Sequence, residues 1–177
     1  MIRQLILTED GSHTIFVPEM GEHYHSVHGA MQESFHIFIQ YGFHQAQSEE
    51  LTILEIGFGT GLNALLTLLL SNADNKPVIY ETWEKFPISS EEIQKLNYPE
   101  MLKCDREIFS SLHQAAWEVD VHVTPIFTLK KIEGDILNFN SSRIFDLVYF
   151  DAFGPDFQPE LWTADVFSKI AACLRNG

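Results

Sequence analysis

Apolar positions first recur at a helical period near residue 30. Met31, Phe35, Phe38 and then Gly42 fall on one face, and the spacing predicts a helix over 30–41. From residue 51 the pattern changes. Leu51-Thr-Ile-Leu-Glu-Ile56 is an apolar run ended by glycines, as in a buried parallel strand. Residues 62–70 are apolar nearly all round and predict a buried helix. Residues 77–83 read as a second strand. Ser89-Ser90-Glu91-Glu92 has a capping-box pattern and opens a helix over 89–96. A further helix is expected over 99–117, strands over 126–132 and 144–150, and a helix over 163–174 with Thr163 as N-cap.

Strands alternating with helices predict an α/β fold, a doubly wound and mostly parallel sheet of Rossmann type. The division expected is a polar lead-in over 1–50, rich in histidine, and a core over 51–177. In such a fold another strand follows the last helix, whereas the chain stops at Arg175-Asn176-Gly177. The sheet is therefore expected to be truncated before its C-terminal strands, with an apolar edge beside 144–150.

Composition narrows the function. The net charge is -14, and the eleven Lys and Arg are scattered, which argues against tight, non-specific phosphate binding but leaves room for a small basic patch. No apolar run reaches the ~18 residues of a membrane span. Met1-Ile2-Arg3-Gln4 does not lead into a signal peptide. Cys104 and Cys173 form no CxxC pattern, so a reducing cytoplasm is expected rather than a disulfide framework. His23, His25 and His28 lack a clear fourth ligand, and no metal site is expected.

The chemistry concentrates at predicted strand ends. Glu55-Ile56-Gly57-Phe58-Gly59-Thr60-Gly61 joins a strand to a helix, where glycines permit close backbone approach and free N–H groups face a ligand. A dinucleotide site has the longer spacing G-x-G-x-x-G/A. The G-x-G-x-G spacing here, with Glu55 before it, resembles the first motif of Rossmann-like methyltransferases that bind S-adenosyl-L-methionine. A dinucleotide or a purely structural turn are the alternatives. Glu84 closes the second strand, where an acid accepts hydrogen bonds from ribose hydroxyls, and Glu81 competes for that role. Asp135 follows the third strand, suited to accept from an adenine amino group or simply to make a turn. Asp151 ends the fourth strand ahead of Ala-Phe-Gly-Pro155. That segment resembles the D/N-P-P-Y/F loop of amine methyltransferases, in which the acid orients the target nitrogen.

Three segments together resemble the MnmC-like family, the methyltransferase domain of the bacterial tRNA 5-methylaminomethyl-2-thiouridine biosynthesis protein. They are Leu54-Glu-Ile-Gly-Phe-Gly-Thr-Gly-Leu-Asn63, Trp83-Glu-Lys-Phe-Pro87 and Phe150-Asp-Ala-Phe-Gly-Pro-Asp-Phe-Gln-Pro-Glu-Leu-Trp162. The lead-in agrees through Asp10-Gly-Ser-His-Thr14, Tyr24-His-Ser26, Gly29 and Glu33-Ser34. The resemblance implies S-adenosyl-L-methionine as cofactor, held by Glu55, Gly57, Gly59, Gly61, Asn63, Glu84, Lys85, Asp135 and Tyr24. It implies Asp151 as the catalytic residue, a lead-in helix that lids the site, and Tyr24-His25-Ser26 near the methionine end of the cofactor. The implied reaction is methylation of the amine of 5-aminomethyl-(2-thio)uridine at the tRNA wobble position. The flavin-dependent oxidase of larger family members would be a separate protein of the same pathway. The competing reading is a cofactor-fold module that binds a partner without catalysis.

Overall fold

The computed structural model describes residues 2–175. Its centre is a five-stranded sheet of β4 (Leu51–Ile56), β5 (Val78–Glu84), β6 (Asp120–Thr124), β7 (Phe127–Glu133) and β8 (Leu147–Phe150), in the order β6-β7-β5-β4-β8. All pairings are parallel except β6 with β7. The chain runs outward from β4 through β5 to β7, then returns to the other side of β4 as β8. The direction reverses between β4 and β8, and open α/β sheets bind ligands at the carboxyl ends of the strands flanking such a reversal.

Successive strand residues face opposite sides of the sheet, so each strand feeds two cores. Leu51, Ile53, Tyr80 and Leu129 pack with Leu62, Leu65 and Leu68 of α2 (Leu62–Asp74) and with Phe109 and Leu112 of α5 (Arg106–Gln114). Leu54, Ile56, Trp83 and Ile132 face the other way, against Val166 and Ile170 of α6 (Ala164–Ala171). Leu65 is wholly enclosed. Leu65→Ala is expected to cost about 2–5 kcal/mol, the usual range for a buried leucine. Urea unfolding should show a lower midpoint at an unchanged slope.

The expected strands and helices occur with shifted ends. Ser89 caps α3 (Ser90–Lys95) in a reciprocal capping box with Glu92, and the Thr163 side chain accepts from the Val166 N–H. The single helix expected over 99–117 is two, α4 (Tyr98–Leu102) and α5. Lys103 takes a left-handed conformation that ends the first, and the Asp105 carboxylate accepts the Glu107 N–H to begin the second.

Residues 2–50 carry a sheet of their own. β1 (Gln4–Leu7), β2 (His13–Val17) and β3 (Glu22–His23) form an antiparallel sheet. The helix expected over 30–41 is α1 (Ala30–Ser34) continued as a π-helical stretch, Phe35–Gln40. The wider turn changes the phase. Phe35 is exposed, while Phe38 and Ile39 face inward. Ile15, Phe38, Ile39 and Phe43 join the same hydrophobic cluster as Leu65, so this region shares the core of the central sheet.

β8 stands at the end of the strand order, and after α6 the chain returns to it, with Leu174 bridging Phe145 in parallel. The turn read at Asn176-Gly177 lies outside the described residues. Among the described residues no helix is long and apolar enough to cross a membrane.

Candidate functional site

The carboxyl ends of β4, β5, β7 and β8 open into a cavity of about 740 Å³, within the usual range for small-molecule sites. Tyr24, Gly57, Gly59, Glu84, Lys85, Asp135 and Asp151 all line it, and so do Glu33 and Phe38 from the helical segment of the lead-in.

The glycine loop is held from several sides. The Gly57 N–H donates to the Trp83 carbonyl at 2.9 Å, continuing the β4–β5 ladder. Gly59 has φ +50°, and its N–H donates to Glu84 Oε2 at 2.8 Å. A Cβ at Gly59 would sit 3.0 Å from the Tyr24 ring. Gly61 is the N-cap of α2. Below the loop, His25 Nε2 lies 2.8 Å from Thr60 Oγ1 and His113 Nε2 lies 3.2 Å from the Thr60 carbonyl. Burial pushes these imidazoles down to about 4 and about 3, the nearby Lys131 charge adding to the shift of His113. Both are neutral at physiological pH, so they act as fixed struts rather than as charges.

Glu84 and Glu81 part company on strand geometry. Glu84 reaches the cavity at the end of β5, where its other oxygen accepts the Phe86 N–H at 2.7 Å. Glu81 lies three residues earlier on the opposite face. It is fully buried, accepts from Trp83 Nε1 at 3.3 Å and lies 3.6 Å from the Arg143 guanidinium. The Asp135 carboxylate accepts the Leu137 N–H at 3.0 Å and pairs with Lys85 at 2.7 Å. Partial burial opposes ionisation of Asp135, but the Lys85 and Leu137 donors outweigh it and hold the carboxyl below its ordinary value. Burial pushes the Tyr24 hydroxyl up to about 12 against the pull of Arg3, so the phenol keeps its proton.

Asp151 follows β8 across the reversal from the loop. Its N–H donates to the Ile56 carbonyl at 2.9 Å, and Asn63 Nδ2 donates to its Oδ2 at 2.8 Å. Burial pushes its carboxyl up to about 7, with the Asn63 bond opposing and Glu33 and Glu84 adding to the rise. Such a value near neutrality suits proton exchange with a group held in the cavity.

Not every expected residue reaches the cavity. Glu55, Gly61 and Asn63 are absent from its wall. The Glu55 and Asn63 side chains lie behind the loop, on the α2 face of the sheet, because residue 55 shares the strand face of Leu51 and Ile53. Of these two, Asn63 reaches the cavity wall indirectly, through its bond to Asp151. Of the lead-in histidines, the three weighed as metal ligands diverge: His23 packs on Phe16, His25 supports Thr60, and His28 meets Glu9 at the surface. Two contributions went unread. Glu33 accepts the Ser26 N–H at 2.7 Å and lines the cavity, and His113 props the loop. The signals for Glu33 were its place in the Glu33-Ser34 resemblance and a carboxylate inside the amphipathic 30–41 segment; His113 carried none.

Residues 90–177 match a family model described as S-adenosyl-L-methionine-dependent methyltransferase. The chain is 27% identical over 179 residues to the tRNA 5-methylaminomethyl-2-thiouridine biosynthesis bifunctional protein MnmC of Delftia acidovorans, covering 93% of this chain and 27% of that protein. It is 25% identical to the protein of the same name from Actinobacillus pleuropneumoniae, over 97% of this chain and 29% of the other. The chain thus spans little more than a quarter of these relatives. The crystal structure of MNMC2 from Aquifex aeolicus superimposes with a TM-score of 0.80 at 30% identity, over 98% of this chain and 57% of that one.

Proposed function

We propose that the chain, which is similar over nearly its whole length to MnmC proteins and over residues 90–177 to a family of S-adenosyl-L-methionine-dependent methyltransferases, transfers a methyl group to an amine nitrogen, and that the acceptor is 5-aminomethyl-(2-thio)uridine at the tRNA wobble position. The observation that carries this reading is the convergence of the glycine loop and Asp151 on one cavity at the reversal between β4 and β8. S-adenosyl-L-methionine supplies a methyl group on a positively charged sulfur. The cavity suits that charge and an ammonium group, since Glu22, Glu33, Glu84, Asp135, Asp151 and Glu160 line it against the single lysine Lys85.

In this reading Gly57 and Gly59 admit the cofactor to the backbone, and Tyr24 closes its methionine end. Glu84 accepts from the ribose hydroxyls, and Asp135, steadied by Lys85, from the adenine amino group. Glu55, Gly61 and Asn63 support the loop and Asp151 from behind. The Asp151 carboxylate accepts a hydrogen bond from the neutral acceptor nitrogen, whose ammonium proton leaves to water, stabilises the positive charge that returns to nitrogen as the new bond forms, and then takes the proton released by the methylated nitrogen. The setting is cytoplasmic. A flavin-dependent oxidase activity belongs to the same pathway, in keeping with the bifunctional name of relatives this chain matches over 27% of their length.

The test is methyl transfer from labelled S-adenosyl-L-methionine to tRNA from cells lacking the modification. Label in a wobble uridine derivative is the expected result. Binding of the cofactor with no transfer to that tRNA would sink the acceptor assignment. Affinity for a nicotinamide dinucleotide and none for S-adenosyl-L-methionine would sink the cofactor assignment.

A further inference from the structure

Beneath the glycine loop the structure encloses polar groups that lack partners. The Glu55 side chain is wholly buried, and neither carboxyl oxygen makes a hydrogen bond. Its cross-strand neighbours in register are Thr82 on β5 and Tyr149 on β8. The Tyr80 and Thr82 hydroxyls and Asn63 Oδ1 are likewise enclosed and unpaired. Asn63, 2% exposed, spends its Nδ2 on Asp151 Oδ2 at 2.8 Å. Leaving a buried donor or acceptor unmade costs roughly 1–3 kcal/mol, so groups enclosed in this way are under pressure to pair with whichever neighbour can complement them.

We propose that Glu55 is a positioning residue: as a neutral acid it donates its O–H to Asn63 Oδ1, which leaves Nδ2 as the end of the amide that faces Asp151. An amide has a donor end and an acceptor end, and its neighbours decide which way it points. An ionised Glu55 would only accept. It would draw Nδ2 to itself and turn Oδ1 against the Asp151 carboxylate. The protonation of Glu55 therefore sets which atom Asp151 meets.

The surroundings favour the acid form. Burial first, and the Asp151 charge second, raise the Glu55 carboxyl well above its ordinary range, and the Thr82, Tyr80 and Asn63 side chains oppose this only in part. The titratable groups acting on Glu55 are Asp151, Tyr80 of β5 and Tyr149 of β8, the two phenols themselves held protonated by burial. Those acting on Asp151 are Glu33 from α1 and Glu84 at the end of β5. No cation appears among these influences on either carboxyl.

The role rests on the reading of Asp151 as the acceptor-side carboxylate, but its test does not need turnover. The full chain carries carboxyl-13C aspartate and glutamate, with the two signals assigned by their loss in Asp151→Asn and Glu55→Gln. Glu55 is expected to keep its protonated shift throughout the range in which Asp151 titrates. Glu55→Gln keeps an N–H donor, so the Asp151 midpoint should stay near its value of about 7. Glu55→Leu frees the amide to turn, and the midpoint should rise by about one pH unit, a tenfold change in proton affinity. A Glu55 that titrates like an exposed glutamate overturns the proposal. So does Glu55→Leu with an unshifted Asp151, or Glu55→Gln with a midpoint lowered by a unit or more. If the leucine variant fails to fold, the wild-type and glutamine titrations still decide. Failure of the functional reading looks different: all titrations as expected, with unimpaired methyl transfer by Asp151→Asn.

Discussion

Gly57→Val is expected to abolish binding of S-adenosyl-L-methionine. Gly57 has φ +91°, a conformation open to glycine and costly for a β-branched side chain. The space is closed as well. A Cβ there would lie 2.6 Å from the Asp151 carbonyl oxygen and 3.2 Å from its carbonyl carbon. Both are backbone atoms and cannot swing aside. The ends of β4 and β8 would have to part, although the Asp151 N–H to Ile56 carbonyl bond, at 2.9 Å, ties them together. The loop and Asp151 would then move as one. Gly59→Ala meets only the Tyr24 side chain at 3.0 Å and should weaken binding less. Calorimetry on both variants, with far-UV circular dichroism to confirm folding, checks the order. A folded Gly57→Val protein with wild-type affinity would mean that the cofactor lies elsewhere.

That ranking of the glycines is invisible in the motif, which spaces Gly57 and Gly59 evenly. The strands and the loop were legible because local patterns carry them: an apolar run, glycines, then an apolar helix. Glu84 was preferred to Glu81 for its place at a strand end, and the two-residue period of β5 puts them on opposite faces. The contacts that organise the cavity are of another kind. Asn63 meets Asp151 across 88 residues of sequence, and His113 meets Thr60 across 53. No periodicity reports such a pair. The first sheet escaped because β1 and β2 are short and, of their hydrophobic side chains, only Ile15 and Val17 are buried. Of the face read over 30–41, Met31, Phe38 and Gly42 do turn inward, while Phe35 is exposed where a π-helical stretch departs from the 3.6-residue period on which the reading depends.

Asp151→Asn is expected to slow methyl transfer on the order of 100-fold or more, by analogy with removal of one electrostatic stabiliser. The substitution keeps an acceptor oxygen for Asn63 or for the substrate, and removes the charge and the proton acceptor. A carboxylate beside an amine favours the ammonium form, so Asp151 does not help by lowering the amine pKa. In the proposed reaction it helps by facing the charge that returns to nitrogen and then by taking the proton that the methylated nitrogen releases. Only the ionised carboxyl does either, so the wild-type rate should rise with pH as Asp151 deprotonates. Its value of about 7 belongs to the protein alone, and a cationic cofactor beside it favours ionisation. The rising limb of the rate should therefore lie at or below about 7, and Asp151→Asn should lose it. Stability should move the opposite way. Because burial raises the folded-state value from 3.8 to about 7, the folded protein holds a proton that the unfolded chain has released. Stability from this group is full below about 3.8, falls as pH rises through that window, and is lost above about 7. The asparagine carries no such penalty, so the variant should gain in melting temperature over the wild type at pH values above the window and not below it. A variant with lower activity and lower stability at every pH would indicate a damaged fold. Near-normal turnover on tRNA carrying the free amine would move the proton-accepting role elsewhere, with Glu33, on the same cavity wall, the next residue to replace.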